Sequence, residues 1–280
     1  MKTLYISDLD GTLLDNNAEL SGCTVETLNR LIESGGYFSI ATARTAATSL
    51  LILEPVAVNI PIILMNGVLI YDIQSRQYII RELLHRPRTA QLLAAMRQTG
   101  QTGLMYALAG DELLTYYERL DTAPLQAFVN TRRQKYNKQF IQIDDFADAS
   151  AAADIIYFCF LDSCEHIHRL NDRIKEIIGL RIEMYQDIYS EDLWYLEVFS
   201  DAASKKKAVQ YLRQQYGFDR IVGFGDNLND LPLFAACDEC YAVANAKAEV
   251  KDKATAVIGS NKQDGVAKWL AANLLYAERY

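Results

Sequence analysis

Apolar and polar positions alternate along this chain in two rhythms. Short β-prone runs at Thr3 to Ser7, Tyr37 to Thr42 and Ile60 to Met65 enclose segments of helical period. Thr24 to Glu33 places Val25, Leu28, Leu31 and Ile32 on one face and stops at Gly35-Gly36. Thr45 to Leu53 predicts a second helix, and Val68 to Tyr71 with Gln77 to Ile80 a hairpin around a polar loop. The theme returns near the end. A helix at Lys205 to Tyr216 is closed by Gly217 and followed by a buried strand at Ile221 to Phe224 and a short helix at Leu231 to Ala236 with Pro232 near its start. Strands at Tyr241 to Ala244 and Ala256 to Ile258 and a helix from Gly265 to Tyr276 complete the pattern.

Between Arg86 and Phe199 the order changes. A helix at Thr89 to Gln98, strands near Leu104 to Leu108 and Glu112 to Tyr117, and a polar helical stretch lead to an apolar run at Ile155 to Leu161. A helix at Cys164 to Ile178 and strands near Arg181 to Tyr185 and Leu193 to Phe199 follow, which together predict a separate α+β unit. The expected architecture is α/β: a doubly wound, Rossmann-like parallel-sheet core of residues 1–84 and 200–280, with an α+β cap domain inserted at 85–199. No internal repeat is visible.

Composition narrows the classes of protein. The chain has 280 residues, 50% hydrophobic and 23% charged, enough for a substantial core without disulfides. Its five cysteines are odd in number and scattered, which predicts reduced thiols. The most apolar stretch, Leu51 to Tyr71, is interrupted by Glu54, Pro55, Asn59, Pro61, Asn66 and Gly67, so it falls short of the roughly 20 unbroken apolar residues of a membrane span. With no export signal at Met1 to Leu4, the chain is expected to be cytoplasmic, a monomer or small homo-oligomer. A formal charge of −8 argues against nucleic-acid and membrane partners and requires local cations for any anionic substrate.

Four constellations carry candidate chemistry. Asp8 and Asp10 stand two apart after the first strand, so in extended chain they face one side, at the strand end where open α/β sheets bind ligands. Neighbouring carboxylates repel unless a cation lies between them or one keeps its proton, and either state suits a nucleophile beside a general acid/base; an Asp-Gly turn is the plainer reading. Gly225-Asp226-Asn227-Leu228-Asn229-Asp230 brings more carboxylates to another strand end, a set of oxygens suited to a hard cation such as Mg²⁺, although Asp230 also suits a helix N-cap. Three lysines, Lys205 to Lys207, open a helix against its dipole, a placement that a bound phosphate would explain for one of them. Thr42-Ala43-Arg44 offers a hydroxyl and backbone amides at a strand-to-helix junction, which can cradle a phosphate or merely cap the helix.

Taken in order, D-x-D-G-T-L-L at Asp8 to Leu14, the strand-ending Thr42, the helix-opening Lys205 and G-D-x-x-N-D at Gly225 to Asp230 resemble the motifs of the haloacid-dehalogenase-like phosphohydrolases. Asn66-Gly67, Val243-Ala244-Asn245-Ala246 and Asp264-Gly265-Val266-Ala267 are similar to the Cof-type branch, whose type II subtype B cap is inserted between the second and third motifs. The insert resembles that branch in length and position only. The resemblance implies a Mg²⁺-dependent phosphatase of small phosphorylated metabolites, sugar phosphates being common substrates of the branch. Asp8 would attack phosphorus to give an aspartyl-phosphate, and Asp10 would protonate the leaving alcohol and then activate water. Mg²⁺ would be held by Asp8, the Asp10 backbone carbonyl and Asp226, with Asp230 or Asn229 in support. Thr42, Ala43, Arg44, Lys205 and Asn229 would serve the phosphate, and the cap would exclude water and select the leaving group. A phosphomutase on the same scaffold and a catalytically idle phosphate binder are the alternatives.

Three positions depart from the branch: Ala43 and Lys206 stand where Gly is usual, and Leu228 where a small or acidic residue is frequent. Other signals are weaker. Gly223-Phe224-Gly225 lacks the third glycine of a dinucleotide loop, and Cys237-x-x-Cys240, read as late in a helix, has no second pair to complete a zinc site. His166 and His168 point about 200° apart on a helix, Asp144-Asp145 reads as a helix cap, and most of the 17 tyrosines read as packing residues.

Overall fold

The computed structural model describes residues 1–187 and 192–277. The first segment runs β1 (Thr3–Ser7), α1 (Gly22–Glu33), β2 (Tyr37–Ile40), α2 (Ala46–Leu53), β3 (Ile62–Leu64), β4 (Leu69–Asp72) and β5 (Gln77–Arg81). The middle runs α3 (Arg86–Thr99), β6 (Leu104–Ala109), β7 (Glu112–Tyr117), α4 (Ala123–Tyr136), β8 (Ile141–Gln142), α5 (Phe146–Ala152), β9 (Asp154–Asp162), α6 (Cys164–Ile174), β10 (Leu180–Gln186) and β11 (Trp194–Ser200). The chain then returns through α7 (Lys205–Tyr216), β12 (Arg220–Gly225), α8 (Leu231–Phe234), β13 (Glu239–Val243), α9 (Ala248–Lys251), β14 (Ala256–Ile258) and α10 (Gly265–Ala277). Two compact units result, one of Met1–Ile80 with Ser204–Tyr280, the other of Arg81–Ala203.

The first unit is built on a five-stranded parallel sheet in the order β14-β13-β12-β1-β2. Its chain steps from β1 to β2 on one side and later resumes at β12 on the other. The order thus reverses beside β1, and that reversal opens a crevice at the carboxyl ends of the strands. Continuous apolar runs such as Leu4 and Ile6 in β1 and Ile221, Val222 and Phe224 in β12 are buried, as expected of a parallel sheet covered on both faces. Ile62–Leu64 does not extend this sheet as a third βαβ strand. It pairs antiparallel with β4 in a separate β3-β4-β5 sheet and meets the main one at an isolated parallel bridge between Ala41 and Ile63. The turn at Met65–Gly67 folds the chain back, with Val68 N donating to Met65 O and β4 pairing with β3, which the apolar run alone does not reveal.

The second unit carries a six-stranded sheet, β10-β11-β9-β6-β7-β8, antiparallel except where β7 meets β8. Met105, Phe158, Phe160, Leu196 and Val198 on one face pack against Leu92, Met96, Phe146, Ile167 and Leu170 of α3, α5 and α6. Helix α6 ends at Ile174, four residues earlier than its apolar pattern suggests, because Ile178 is exposed and Gly179, with φ of 92°, turns the chain into β10. Asp145 does cap α5, its carboxylate accepting from Ala147 N. Cys237 follows α8 and Cys240 lies in β13, so this pair bridges a helix end and a strand rather than sitting in a helix. Among the described residues no helix is long and apolar enough to cross a membrane.

Candidate active site

Parallel pairing of β1 with β12 aligns Ser7 with Phe224, and Asp8 N donates to Phe224 O at 3.0 Å. That register brings the residues following each strand together, and Asp8, Asp226 and Asp230, all buried, offer oxygens within 4.8 Å of one another. Gly11 makes the approach feasible: its φ is +76°, and a Cβ there would come within 2.5 Å of Asp226 Oδ2. Thr12 Oγ1 donates to Asp226 Oδ1 at 2.7 Å and so ties the turn after β1 to β12.

Lys205 is the counter-ion of this group. Its side chain is 1% exposed, and Nζ donates to Asp8 Oδ1 at 2.8 Å and to Asp230 Oδ1 at 2.7 Å. Burial alone would depress its pKa, but the carboxylates of Asp230 and Asp8 outweigh that and hold it above the ordinary value. Ser204 caps α7 through Lys207 N, which sets the helix start so that Lys205 turns inward while Lys206 and Lys207 are exposed. Asp230 stands at the N-cap position of α8, as its place before Leu231-Pro232 suggests, but its side chain makes no capping hydrogen bond to that helix. Its Oδ2 accepts from Asp226 N at 2.9 Å and Asn227 N at 3.0 Å, so both its oxygens are engaged and it is placed to hold Lys205 and the loop.

The charges of this group do not cancel. With all three buried carboxylates ionised, the one ammonium leaves two negative charges uncompensated. Burial, and then the neighbouring Asp230, push Asp226 up to about 7 against the opposing Thr12 hydrogen bond and Lys205, and burial likewise raises Asp8 well above the usual carboxylate range. An all-oxygen donor set with two excess negative charges fits a hard divalent cation, which would restore both groups to their ionised forms.

Asp10 lies outside that cluster. Its carboxylate faces Arg44 in a two-point pair, Nε to Oδ2 at 2.7 Å and Nη2 to Oδ1 at 2.6 Å. Arg44, expected to serve the phosphate, is thus placed on the side chain expected to act as acid and base. Thr42 is 1% exposed and its Oγ1 accepts from Arg44 N at 3.2 Å. Ala43 is not among the residues of positive φ, so its methyl group brings no backbone strain where the branch has glycine. Leu228 is 38% exposed and takes no part in the cluster.

Sequence reasoning did not assign a role to the turn at Met65, Asn66 and Gly67. All three have positive φ, at 49°, 56° and 96°, a conformation that costs a bulky residue such as Met on the order of 1–2 kcal/mol. Met65 N donates to Arg44 O and Asn66 N to Thr42 O, while Asn66 Oδ1 accepts from Asn229 Nδ2 at 3.3 Å. A Cβ on Gly67 would overlap the carbonyl group of Ser204 and lie 2.8 Å from Lys205 N. This turn therefore ties together the loops that bear Arg44, Lys205 and Asn229. Two asparagines do similar work on the other side: Asn245 Nδ2 donates to Gly11 O at 2.7 Å, Asn245 Oδ1 accepts from Asn261 N, and Asn261 Nδ2 donates to Leu14 O. The signal for both was an Asn beside a small residue just past a strand, which marks a turn but not its partner.

Comparison with known proteins agrees with this geometry. A model of the haloacid dehalogenase-like hydrolases matches residues 5–270. A pyridoxal phosphate phosphatase from Escherichia coli is 24% identical over 275 residues, spanning 96% of this chain and 97% of its own. An HMP-PP phosphatase from Escherichia coli is 26% identical over 283 residues, spanning 99% and 97%. The solved structure of a haloacid dehalogenase-like hydrolase from Bacteroides thetaiotaomicron shares the fold, with a TM-score of 0.80 at 20% identity over 97% of this chain and 99% of that one. The chain belongs to the haloacid dehalogenase-like hydrolases, in their Cof-type branch. It is a phosphoric monoester hydrolase.

Proposed function

We propose that this enzyme hydrolyses small phosphorylated metabolites through a phosphoryl group carried on Asp8. Sugar phosphates head the class, and the relative named for pyridoxal phosphate extends it to other monoesters. The observation that carries this reading is the buried Lys205 between Asp8 and Asp230, beside Asp226. An anionic carboxylate must attack an anionic phosphoryl group, so positive charge has to be fixed at the point of attack. Lys205 engages Asp8 Oδ1 and leaves Oδ2 as the attacking oxygen.

In the first step the Asp8 oxygen bonds to phosphorus, the bond to the substrate oxygen breaks, and Asp10 gives that oxygen its proton. In the second, Asp10 takes a proton from water as it attacks phosphorus, and the bond to Asp8 breaks to release phosphate. The Arg44 fork orients Asp10 in its ionised form, the form that takes the proton from water in the second step. Thr42 and Asn229 serve the phosphoryl oxygens. A Mg²⁺ ion held by Asp8, Asp226 and the Asp10 backbone carbonyl would supply the charge that the cluster lacks. All these residues belong to the first unit, so selection of the leaving group falls to the inserted one.

Phosphate release from a panel of sugar phosphates, pyridoxal 5′-phosphate and p-nitrophenyl phosphate with Mg²⁺, with a check for isomerised product, tests the reading. Release of phosphate supports it. An isomer formed in place of phosphate would make the protein a mutase, and neither product would make it a binding protein.

A further inference from the structure

One loop holds both sides of the acidic cluster. It runs from Ala244 to Lys247 past the carboxyl end of β13, the strand beside β12, and lies wholly within the first unit. Asn245 Nδ2 donates to Gly11 O at 2.7 Å, and two residues further on Lys247 N donates to Asp226 O at 2.9 Å. The loop is itself anchored, since Asn245 Oδ1 accepts from Asn261 N at 3.0 Å and Ala246 N donates to Val243 O at 2.9 Å.

Neither bond reaches an atom that would hold a cation. Gly11 O follows the Asp10 carbonyl by one peptide, and Asp226 O is the main-chain carbonyl of the residue whose carboxylate would be the ligand. Asn245 is exposed and fills no space in the core, so what it contributes is the orientation of the Gly11 peptide. With a φ of +76°, Gly11 is the softest link between Asp10 and Thr12, because glycine enters several backbone wells at little cost. Thr12 Oγ1 already binds Asp226 Oδ1 at 2.7 Å, and pinning Gly11 O as well restrains the turn on both sides. Mg²⁺ demands near-ideal octahedral geometry with ligands at about 2.0–2.1 Å, so a turn that shifts by a fraction of an ångström weakens its binding.

We infer that Asn245 is a positioning residue for the divalent cation. By holding the Gly11 carbonyl it sets the Asp10 carbonyl against the carboxylates of Asp8 and Asp226, and its loss weakens the hold on Mg²⁺ more than the hold on the ester. This rests on the function proposed above, in which those three groups bind Mg²⁺, and deepens it by assigning the metal requirement a residue that is not itself a ligand.

The test uses the full-length enzyme, stripped of metal with EDTA and then given Mg²⁺ over a range of concentrations. Two quantities are read: the rise in melting temperature that Mg²⁺ alone produces, which follows its occupancy, and phosphate release from p-nitrophenyl phosphate. Asn245→Ala and Asn245→Leu, the second of the same branched shape as Asn, should each need about tenfold or more Mg²⁺ for half of either effect, the scale for losing a partner that orients a metal site. KM for the ester at saturating Mg²⁺ should change by less than about threefold. Asn59→Ala is the control for a purely structural bond. Asn59 also donates to a glycine carbonyl, Gly36 O at 2.8 Å, and accepts from a backbone amide, Phe38 N at 3.1 Å, but at the amino end of β2. Its loss should lower the melting temperature equally with and without Mg²⁺ and leave the Mg²⁺ requirement unchanged. An unchanged requirement in either folded Asn245 variant, or a rise confined to KM, would overturn the inference while leaving the phosphatase reading standing. An equal rise in requirement for Asn59→Ala would mean general loosening and overturn it too, as would failure of both Asn245 variants to fold, which would make Asn245 a folding residue. A wild type that gains neither thermal stability nor activity from Mg²⁺ would overturn the proposed function and this inference with it.

Discussion

Arg44 grips Asp10 by two parallel hydrogen bonds, of 2.7 and 2.6 Å, although the two residues are 34 positions apart and belong to different loops. A fork of this kind fixes orientation as well as charge, which a single ammonium does not. Arg44→Lys is therefore expected to lower kcat by about tenfold, and Arg44→Ala by about a hundredfold, with smaller changes in KM. Steady-state kinetics with p-nitrophenyl phosphate and Mg²⁺ checks it. A rise in KM at constant kcat would assign Arg44 to substrate binding alone.

Lys205 differs from its two neighbours in burial and partners, so the three should respond differently. Lys205→Met is expected to reduce kcat/KM by about 10²–10³, the scale for losing one charge-stabilising donor at a reaction centre. It should also destabilise the fold by roughly 3–5 kcal/mol, since three buried carboxylates would face one another without a cation. Lys206→Met and Lys207→Met should change kcat/KM less than about twofold. Similar losses at all three would point to diffuse steering of an anionic substrate.

Gly67 sets the distance between the Met65–Gly67 turn and the start of α7. Gly67→Ala combines a left-handed φ of 96° with overlap on the Ser204 carbonyl, so something must shift, and Lys205 N is the next atom in the path. A destabilisation of about 1–3 kcal/mol is expected. Loss of kcat should exceed that seen for Gly35→Ala, where φ is +85° but no atom lies within 4 Å. Equal effects of the two on kcat would show that strain alone, and not contact with Lys205, is at work.

Lys138 makes stability depend on pH in a defined direction. Burial, and then the nearby cation Arg132, lower its folded pKa from the ordinary 10.5 to about 7, so between these values the unfolded chain binds a proton that the folded protein does not. The penalty is absent above about pH 10.5, grows as pH falls, and is complete below about 7. Lys138→Met should therefore be the more stable protein, by about 1–4 kcal/mol near neutrality, with the gap closing towards pH 10. Denaturant unfolding of both proteins across that range checks it.

Much of the first unit could be read from the sequence because each parallel strand is a bounded apolar run and each helix carries its own stop, as Gly217 does for α7. The same locality explains why Asp8, Asp226 and Lys205 stood out: each follows a strand or opens a helix. What stayed hidden is pairing across distance. Nothing local tells that Ile62–Leu64 prefers an antiparallel partner, that Arg44 turns to Asp10, or that the Asp230 side chain accepts loop amides instead of capping α8. Lys138 was invisible for the opposite reason, since a lysine in a polar stretch reads as solvated until burial is known.

Asp8 is the residue on which the whole account depends. Asp8→Asn keeps the shape of the side chain and removes its nucleophile, and phosphate release from p-nitrophenyl phosphate with Mg²⁺ should fall by about 10³-fold or more while the circular dichroism spectrum stays that of the wild type. A folded Asp8→Asn enzyme that turned over at the wild-type rate would contradict the account.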